Sequence, residues 1–244
     1  MDWTITNIIL STAFVSIGSL LQATTGLGAG LIIVPLLSLI SIELIPAPMI
    51  FGSLALSASM AFYGRYHIDF SNMKPVLGGV VIGTVVAASY ISTLSLDKLG
   101  LVFGVFILIA VILSIKVPPL SLSTKGCVSM GALSGFMGTS AGVGAPVLAL
   151  MYQHHTGQSL RATLAFLYFV SSVIMLVLLH FAGRFGMSEL ISGFLLIPGF
   201  VIGYYISPVL VKKIDKGFAR PAVLMVSSAS AIYLIWRSLV TLKI

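Results

Sequence analysis

The sequence predicts an all-α integral membrane protein made of two inverted repeats. Each repeat is a re-entrant or broken helical pair followed by three transmembrane helices. Three observations predict this. First, of 244 residues 58% are hydrophobic and only 8% charged, with mean hydropathy +1.14. Soluble domains carry about 25% charged residues, so this chain cannot cover a globular surface with polar groups and lipid must be its main solvent. Second, apolar runs such as 76–90 and 99–115 approach or reach the ~20 residues that cross a bilayer. Third, two glycine-rich breaks, GLGAG at 26–30 and GVGAP at 142–146, interrupt apolar stretches at matching places in the two halves. Such breaks inside hydrocarbon leave backbone groups unpaired, each costing several kcal/mol. Paired, interrupted segments in corresponding halves point to a transporter's binding site.

Five apolar segments occupy each half: 7–25, 28–42, 46–63, 74–91 and 97–115, then 126–141, 143–152, 160–181, 188–208 and 218–240. The halves, 1–120 and 121–244, form one integral domain and align at four points. Gly26, Gly28 and Ala29 match Gly142, Gly144 and Ala145. Gly64 and Arg65 match Gly183 and Arg184. Gly79 and Gly83 match Gly199 and Gly203, and Asp97 and Lys98 match Asp215 and Lys216. Four matches in one order with small drift indicate a duplication. Segment 143–152 would rise only about 15 Å, half of a ~30 Å hydrocarbon core. The first pair in each half therefore reads as two half-helices meeting at the break, and the other three segments as full crossings.

Loop charges agree with this plan. Arg65, Lys74, Lys116, Lys125, Arg161, Lys212, Lys213, Lys216 and Arg220 fall on one side, and Lys98, Arg184, Arg237 and Lys243 on the other. The richer side is expected to be cytoplasmic, with both termini extracytoplasmic. An odd number of crossings per half inverts one half relative to the other. The segment 1–6 has no basic residue, so it lacks a signal peptide's positive n-region. The apolar belt suits lipid and a homodimer partner equally. The +7 net charge comes from scattered loop residues with no basic stripe, so nucleic acid is not an expected partner. Cys127 is the only cysteine, which excludes an intrachain disulfide and reads as a small buried apolar residue.

Glycine at the breaks permits φ > 0 and close backbone approach. Helices starting at Gly28 and Gly144 would aim N–H groups and positive dipole ends at the breaks. Two such ends converging at mid-membrane suit a small anion. The expected substrate-binding residues are Gln22, Thr24, Thr25, Gly26, Gly28 and Gly30, with Thr139, Ser140, Gly142, Gly144 and Pro146. The plainer reading is that these small residues serve helix packing. Arg161, at the start of a crossing segment, either draws and holds an anion or anchors the cytoplasmic face. The GxGxxG dinucleotide spacing is absent. Acidic residues sit at segment ends or in a loop, His180 reads as a helix-end histidine, and His154 and His155 as loop residues. No HExxH or Walker A motif occurs, so no enzyme, metal or cofactor is expected. Energy for transport must come from an ion gradient, with H+ or Na+ as coupling-ion candidates, or from the substrate's own gradient.

The two GxGxG/GxGxP breaks and the stretch Tyr63-Gly64-Arg65-Tyr66-His67-Ile68-Asp69-Phe70 resemble the TauE/SafE sulfite-exporter family of membrane permeases. That resemblance implies a secondary transporter in a prokaryotic inner membrane, carrying a small sulfur-containing anion such as sulfite, thiosulfate or an organosulfonate. It implies a substrate region at Gly26, Gly28, Gly30, Gly142, Gly144 and Pro146. Ala29, Ala145 and Pro146 depart from the family's glycine-rich pattern, and Pro146 removes one donor from the second half. Two other functions fit the composition: an anion channel, since re-entrant half-helices also build selectivity filters, and a non-transporting membrane scaffold.

Overall fold

The structure, a computed structural model, describes residues 3–26, 28–91, 96–115, 123–152, 155, 157–214 and 219–241. The expected boundary at 120/121, the pair Asp215 and Lys216, and His154 lie outside these residues. The described residues form ten α-helices and no strand. They are α1 (Ile5–Thr25), α2 (Gly30–Ile40), α3 (Ala47–Tyr63), α4 (Met73–Ile91), α5 (Leu96–Ile115), α6 (Thr124–Ala141), α7 (Ala145–Met151), α8 (Gly157–Phe181), α9 (Met187–Ile214) and α10 (Ala219–Thr241). One helix stands on each apolar segment read from the sequence.

The first pair in each half differs from two half-helices. Helix α1 has 21 residues, about 32 Å at 1.5 Å per residue, which is a full crossing length. Helix α2 has 11 residues and α7 only 7, about 16 and 10 Å. Each pair is thus one long arm and one short arm. No proline falls within 7–25, and α1 runs on to its left-handed cap at Gly26. The restart also comes later than expected in the first half, at Gly30 rather than Gly28, because Gly28 holds φ +86°.

The helix ends follow local chemistry. The Thr4 hydroxyl caps α1 by accepting from the Asn7 N–H, and Ser123 caps α6 by accepting from the Gly126 N–H. Helices α1 and α6 end on left-handed glycines, Gly26 at φ +75° and Gly142 at φ +71°, each donating its N–H to the carbonyl four residues back. The two breaks therefore open with the same geometry.

Helix α1 packs on α9 and α6 on α4; α3 packs on α9 and α8 on α4; α2 packs on α10 and α7 on α5. Helix α3 meets α8, and α5 meets α10. These pairings map onto one another when each helix is exchanged for the one five places along the chain, whereas the α5–α6 contact has no counterpart of like extent among the described residues. One buried apolar cluster draws residues from all ten helices.

Glycine sets the closest seams. A Cβ on Gly79 of α4 would strike the Val128 carbonyl, and one on Gly131 of α6 the Val76 carbonyl. Backbone thus lies directly on backbone, which small residues four apart permit. In the equivalent α1–α9 seam the Ser19 hydroxyl donates to the Phe200 carbonyl at 2.6 Å. Polar side chains such as Ser19, Thr84 and Thr139 are buried, whereas Ile82, Val86, Val177, Ile202 and Trp236 are exposed. That polarity is inverted relative to a water-soluble fold. Among the described residues α1, α4, α8 and α9 (over Met187–Pro208) are long and apolar enough to cross a membrane.

Two adjacent glycines of α4 test the seam. A Cβ on Gly78 meets nothing within 4 Å, so Gly78→Ala is expected to stabilise the helix by about 0.5–1 kcal/mol. Gly79→Ala forces α4 from α6 and is expected to cost about 1–3 kcal/mol. Thermal unfolding in detergent should shift in opposite directions for the two variants.

Candidate functional site

The two breaks touch. A Cβ on Gly28 would collide with the Ala145 Cβ, and one on Gly30 with the Gly142 carbonyl oxygen. Only glycine accommodates these approaches. The crossing point lies well inside the fold, with Ala29, Gly30, Val143 and Gly144 all buried.

Side chains pair the backbone groups that unwinding exposes. Gln22, one turn before the first break, accepts from the Ala29 N–H through Oε1 at 2.6 Å and so caps α2, whose N-cap residue has no side chain able to do so. Because the partner is a backbone donor, the amide oxygen must face it, and the two Nε2 donors remain for another partner. Tyr168 of α8 donates from Oη to the Gly26 carbonyl at 2.9 Å, with the Ala145 carbonyl at 3.3 Å. One phenol thus spans both breaks. Ser134 of α6 donates to the Gly144 carbonyl at 2.9 Å. Each such group would cost several kcal/mol in hydrocarbon without a partner.

A cavity of about 70 Å³ opens beside the crossing, larger than the 10–15 Å³ one water needs. The first break contributes Gln22, Ala29, Gly30 and Ile33 to its wall; the second contributes Gly138, Gly142, Gly144 and Ala145. Helix α3 adds Met49 and Ser53, and α8 adds Tyr168, Ser171, Ser172 and Met175. No charged side chain is among the lining residues. Any electrostatic attraction this cavity exerts on an anion would therefore rest on dipoles. Helix α2 has its first turn here, where amides lack intrahelical acceptors. Helix α7, with Pro146 in its first turn, contributes far less.

Of the residues expected from the sequence, Gln22, Gly30, Gly142 and Gly144 line this cavity. Thr24 and Thr25 both turn their hydroxyls back to the Leu21 carbonyl. Gly26 and Gly28 shape the crossing without lining the cavity. Thr139 bonds Thr84 across the α4–α6 seam at 3.2 Å. Ser140 is buried outside the cavity wall, as is Pro146. Tyr168, Ser171, Ser172, Ser53 and Ser134 went unread. A signal for the first three existed: Arg161, Tyr168, Ser171, Ser172 and Met175 recur at helical spacing along one face of an otherwise apolar span.

Arg161 sits outside the central cavity, against the first break. Its Cγ lies 3.4 Å from where a Gly26 Cβ would be, and Nη1 reaches the Thr24 carbonyl at 3.5 Å. It also lines a second cavity of about 470 Å³ with Gln158, Tyr63, Tyr204 and Ser207. Two other arginines meet helix C-termini: Arg65 reaches the Phe62 carbonyl of α3 and Arg184 the Ile91 carbonyl of α4. His180, at the exposed end of α8, bonds the Phe185 carbonyl through Nδ1.

The α3–α4 loop is tied to the start of α8. The Asp69 N–H donates to Thr163 Oγ1 at 2.9 Å, and Asp69 Oδ2 lies 3.2 Å from His155 Nε2. Hydrogen bonds from the Ser71 hydroxyl and N–H, aided by His155, hold the Asp69 carboxyl below its ordinary value against a smaller opposing effect of burial. A carboxyl lowered in the fold stabilises it above the unfolded pKa of about 3.9 and loses that contribution as pH falls through the folded value. Asp69→Asn is therefore expected to flatten the acid limb of the unfolding midpoint below about pH 4, leaving the neutral-to-acid difference smaller than in the wild type.

No curated protein and no solved structure matches the chain. The family model of the sulfite exporter TauE/SafE matches residues 10–234, running from α1 into α10. With its helices of spanning length, the chain is a multi-pass membrane protein and belongs to the sulfite exporter TauE/SafE family, a family of membrane transporters.

Proposed function

We propose that this protein is a secondary transporter that carries a small sulfur-containing anion, such as sulfite, thiosulfate or an organosulfonate, through the central cavity by alternating access. The family name supports the sulfur anion. The meeting of two unwound segments around an uncharged cavity carries the mechanism. Tyr168 lies eleven residues into α8, about 16 Å along its axis, near half of a ~30 Å hydrocarbon core. An anion there gains from the α2 dipole and from the spare donors of Gln22. Arg161 concentrates anions in the second cavity, on the side the loop charges assign to the cytoplasm. The helix pairing, most of which persists when the halves are exchanged, supports two repeats that each order one break, and an odd number of crossings per half gives them opposite orientation in the plasma membrane.

The test is flux of radiolabelled sulfite into proteoliposomes. Saturable uptake with counterflow is expected. Gln22→Ala should lower flux at least about tenfold, in line with the loss of a hydrogen bond to a charged group, while the protein still unfolds cooperatively. Arg161→Gln should lower uptake at low sulfite concentration more than at saturation. Unitary currents would make the protein a channel, and undiminished flux in Gln22→Ala would remove the cavity from the pathway.

A further inference from the structure

Helix α8 carries a buried hydroxyl that the protein leaves unused. Ser171 is 3% exposed and lines the central cavity, and its Oγ has no hydrogen-bond partner. Serines in helices commonly return their hydroxyl to the carbonyl three or four residues back. Ser53, Ser57, Ser114 and Ser228 all do so here. Ser171 does not, although its helix offers the same carbonyls. Buried hydroxyls without partners are uncommon in native folds, and each calls for an explanation. Its location supplies one. The same cavity wall holds Ser172 beside it, Tyr168 one turn below, and Gln22 and Gly30 from the first break.

We propose that Ser171 is a substrate-binding and specificity-determining donor, its hydroxyl bonding one oxygen of an anionic SO₃ group held in the central cavity. This rests on the transport reading above and extends it to a helix outside both breaks. The first break offers the α2 amides and the Gln22 amide nitrogen. Helix α8 then offers a hydroxyl from a different element. Oxygens of a pyramidal or tetrahedral group point in different directions, so donors on separate walls can each meet a different oxygen, whereas a single small halide cannot reach all of them at once. A hydroxyl also both donates and accepts, so Ser171 tolerates sulfite and hydrogensulfite alike. Free sulfite and a sulfonate headgroup share the chemistry that this hydroxyl recognises.

The test uses the full chain in proteoliposomes, with sulfite and ethanesulfonate as separate substrates and chloride as a competitor. Ser171→Ala is expected to raise the KM, for whichever of the two anions the wild type carries, about tenfold or more, as removal of a hydrogen bond to an ion does. Its maximal rate should change less, its unfolding midpoint should stay level or rise because an unpaired hydroxyl is gone, and chloride should compete better. Ser171→Thr, which keeps the hydroxyl, should hold KM within about threefold, consistent with retention of that bond. Should Ser171→Ala fold poorly, Ser171→Cys keeps the shape and substitutes a weak donor, and the same KM rise is expected. Wild-type flux with an unchanged KM in the alanine and cysteine variants overturns the assignment of Ser171 alone. Absence of flux for both anions in the wild type overturns the transport reading instead.

Discussion

Unwound backbone inside hydrocarbon must find partners within the protein, and this requirement organises the centre of the molecule. The groups released at the two breaks are matched by side chains from three helices: Gln22 of α1 takes the Ala29 N–H, Tyr168 of α8 takes the Gly26 carbonyl, and Ser134 of α6 takes the Gly144 carbonyl. None of these contacts is local in the sense of an ordinary helix cap. Gln22 reaches seven residues along the chain and Tyr168 reaches across 142. The described residues of the breaks are therefore held by contacts from the surrounding helices. Glycine at 28 and 30 follows from the same requirement, since any larger residue would separate the two segments that these side chains hold together.

The seams around this centre obey the energetics of lipid. Helices gain little from hiding apolar surface when the solvent is itself apolar, so close van der Waals contact and hydrogen bonds must hold them. Helices α4 and α6 meet through glycines on both sides, and α1 meets α9 through Gly199, Gly203 and the Ser19 hydroxyl. Both seams join helices from opposite halves. The halves consequently interlock, and each break is carried on an arm packed against the other half. The arginines complete the pattern. Arg65, Arg161 and Arg184 each donate to a carbonyl near a helix C-terminus, where orphan acceptors and negative dipole ends gather.

Much of this was legible in the sequence because its punctuation is strong. Gly26, Gly64, Gly142 and Gly183 stand at helix ends, and hydropathy fills the intervals, so ten segments could be read. The positions matched in the sequence, Gly79 and Gly83 with Gly199 and Gly203, fall on α4 and α9, five helices apart in the chain. The length of α1 was less legible, because a half-helix and a full crossing look alike until a partner surface is known. The cavity wall was only half legible. A threonine beside a glycine break attracts attention, yet Thr24 and Thr25 spend their hydroxyls on their own helix. A serine deep in an apolar span looks like packing, yet Ser171 lines the cavity. Which hydroxyls remain available is decided by rotamer and neighbour, and sequence spacing reports neither.

Under the proposed transport reading, the absence of charge among the described residues of the central wall has a physical logic. A buried cation would pair with an anion strongly, but its desolvation would weigh against the fold whenever it stood alone, and a strong pair releases its partner slowly. Neutral donors avoid both difficulties. Helix-end amides and hydroxyls orient an anion without holding a full opposite charge, and passage demands a site favourable enough to occupy yet weak enough to leave. In the transport reading proposed above, the cationic part of the task falls to Arg161, half-buried at the second cavity and already anchored to α1 through Thr24. There it can raise the local concentration of anions without becoming part of the site they must vacate. The division also explains the unequal breaks. An eleven-residue α2 can supply the dipole, whereas a seven-residue α7 opening on Pro146 chiefly supplies the opposing wall.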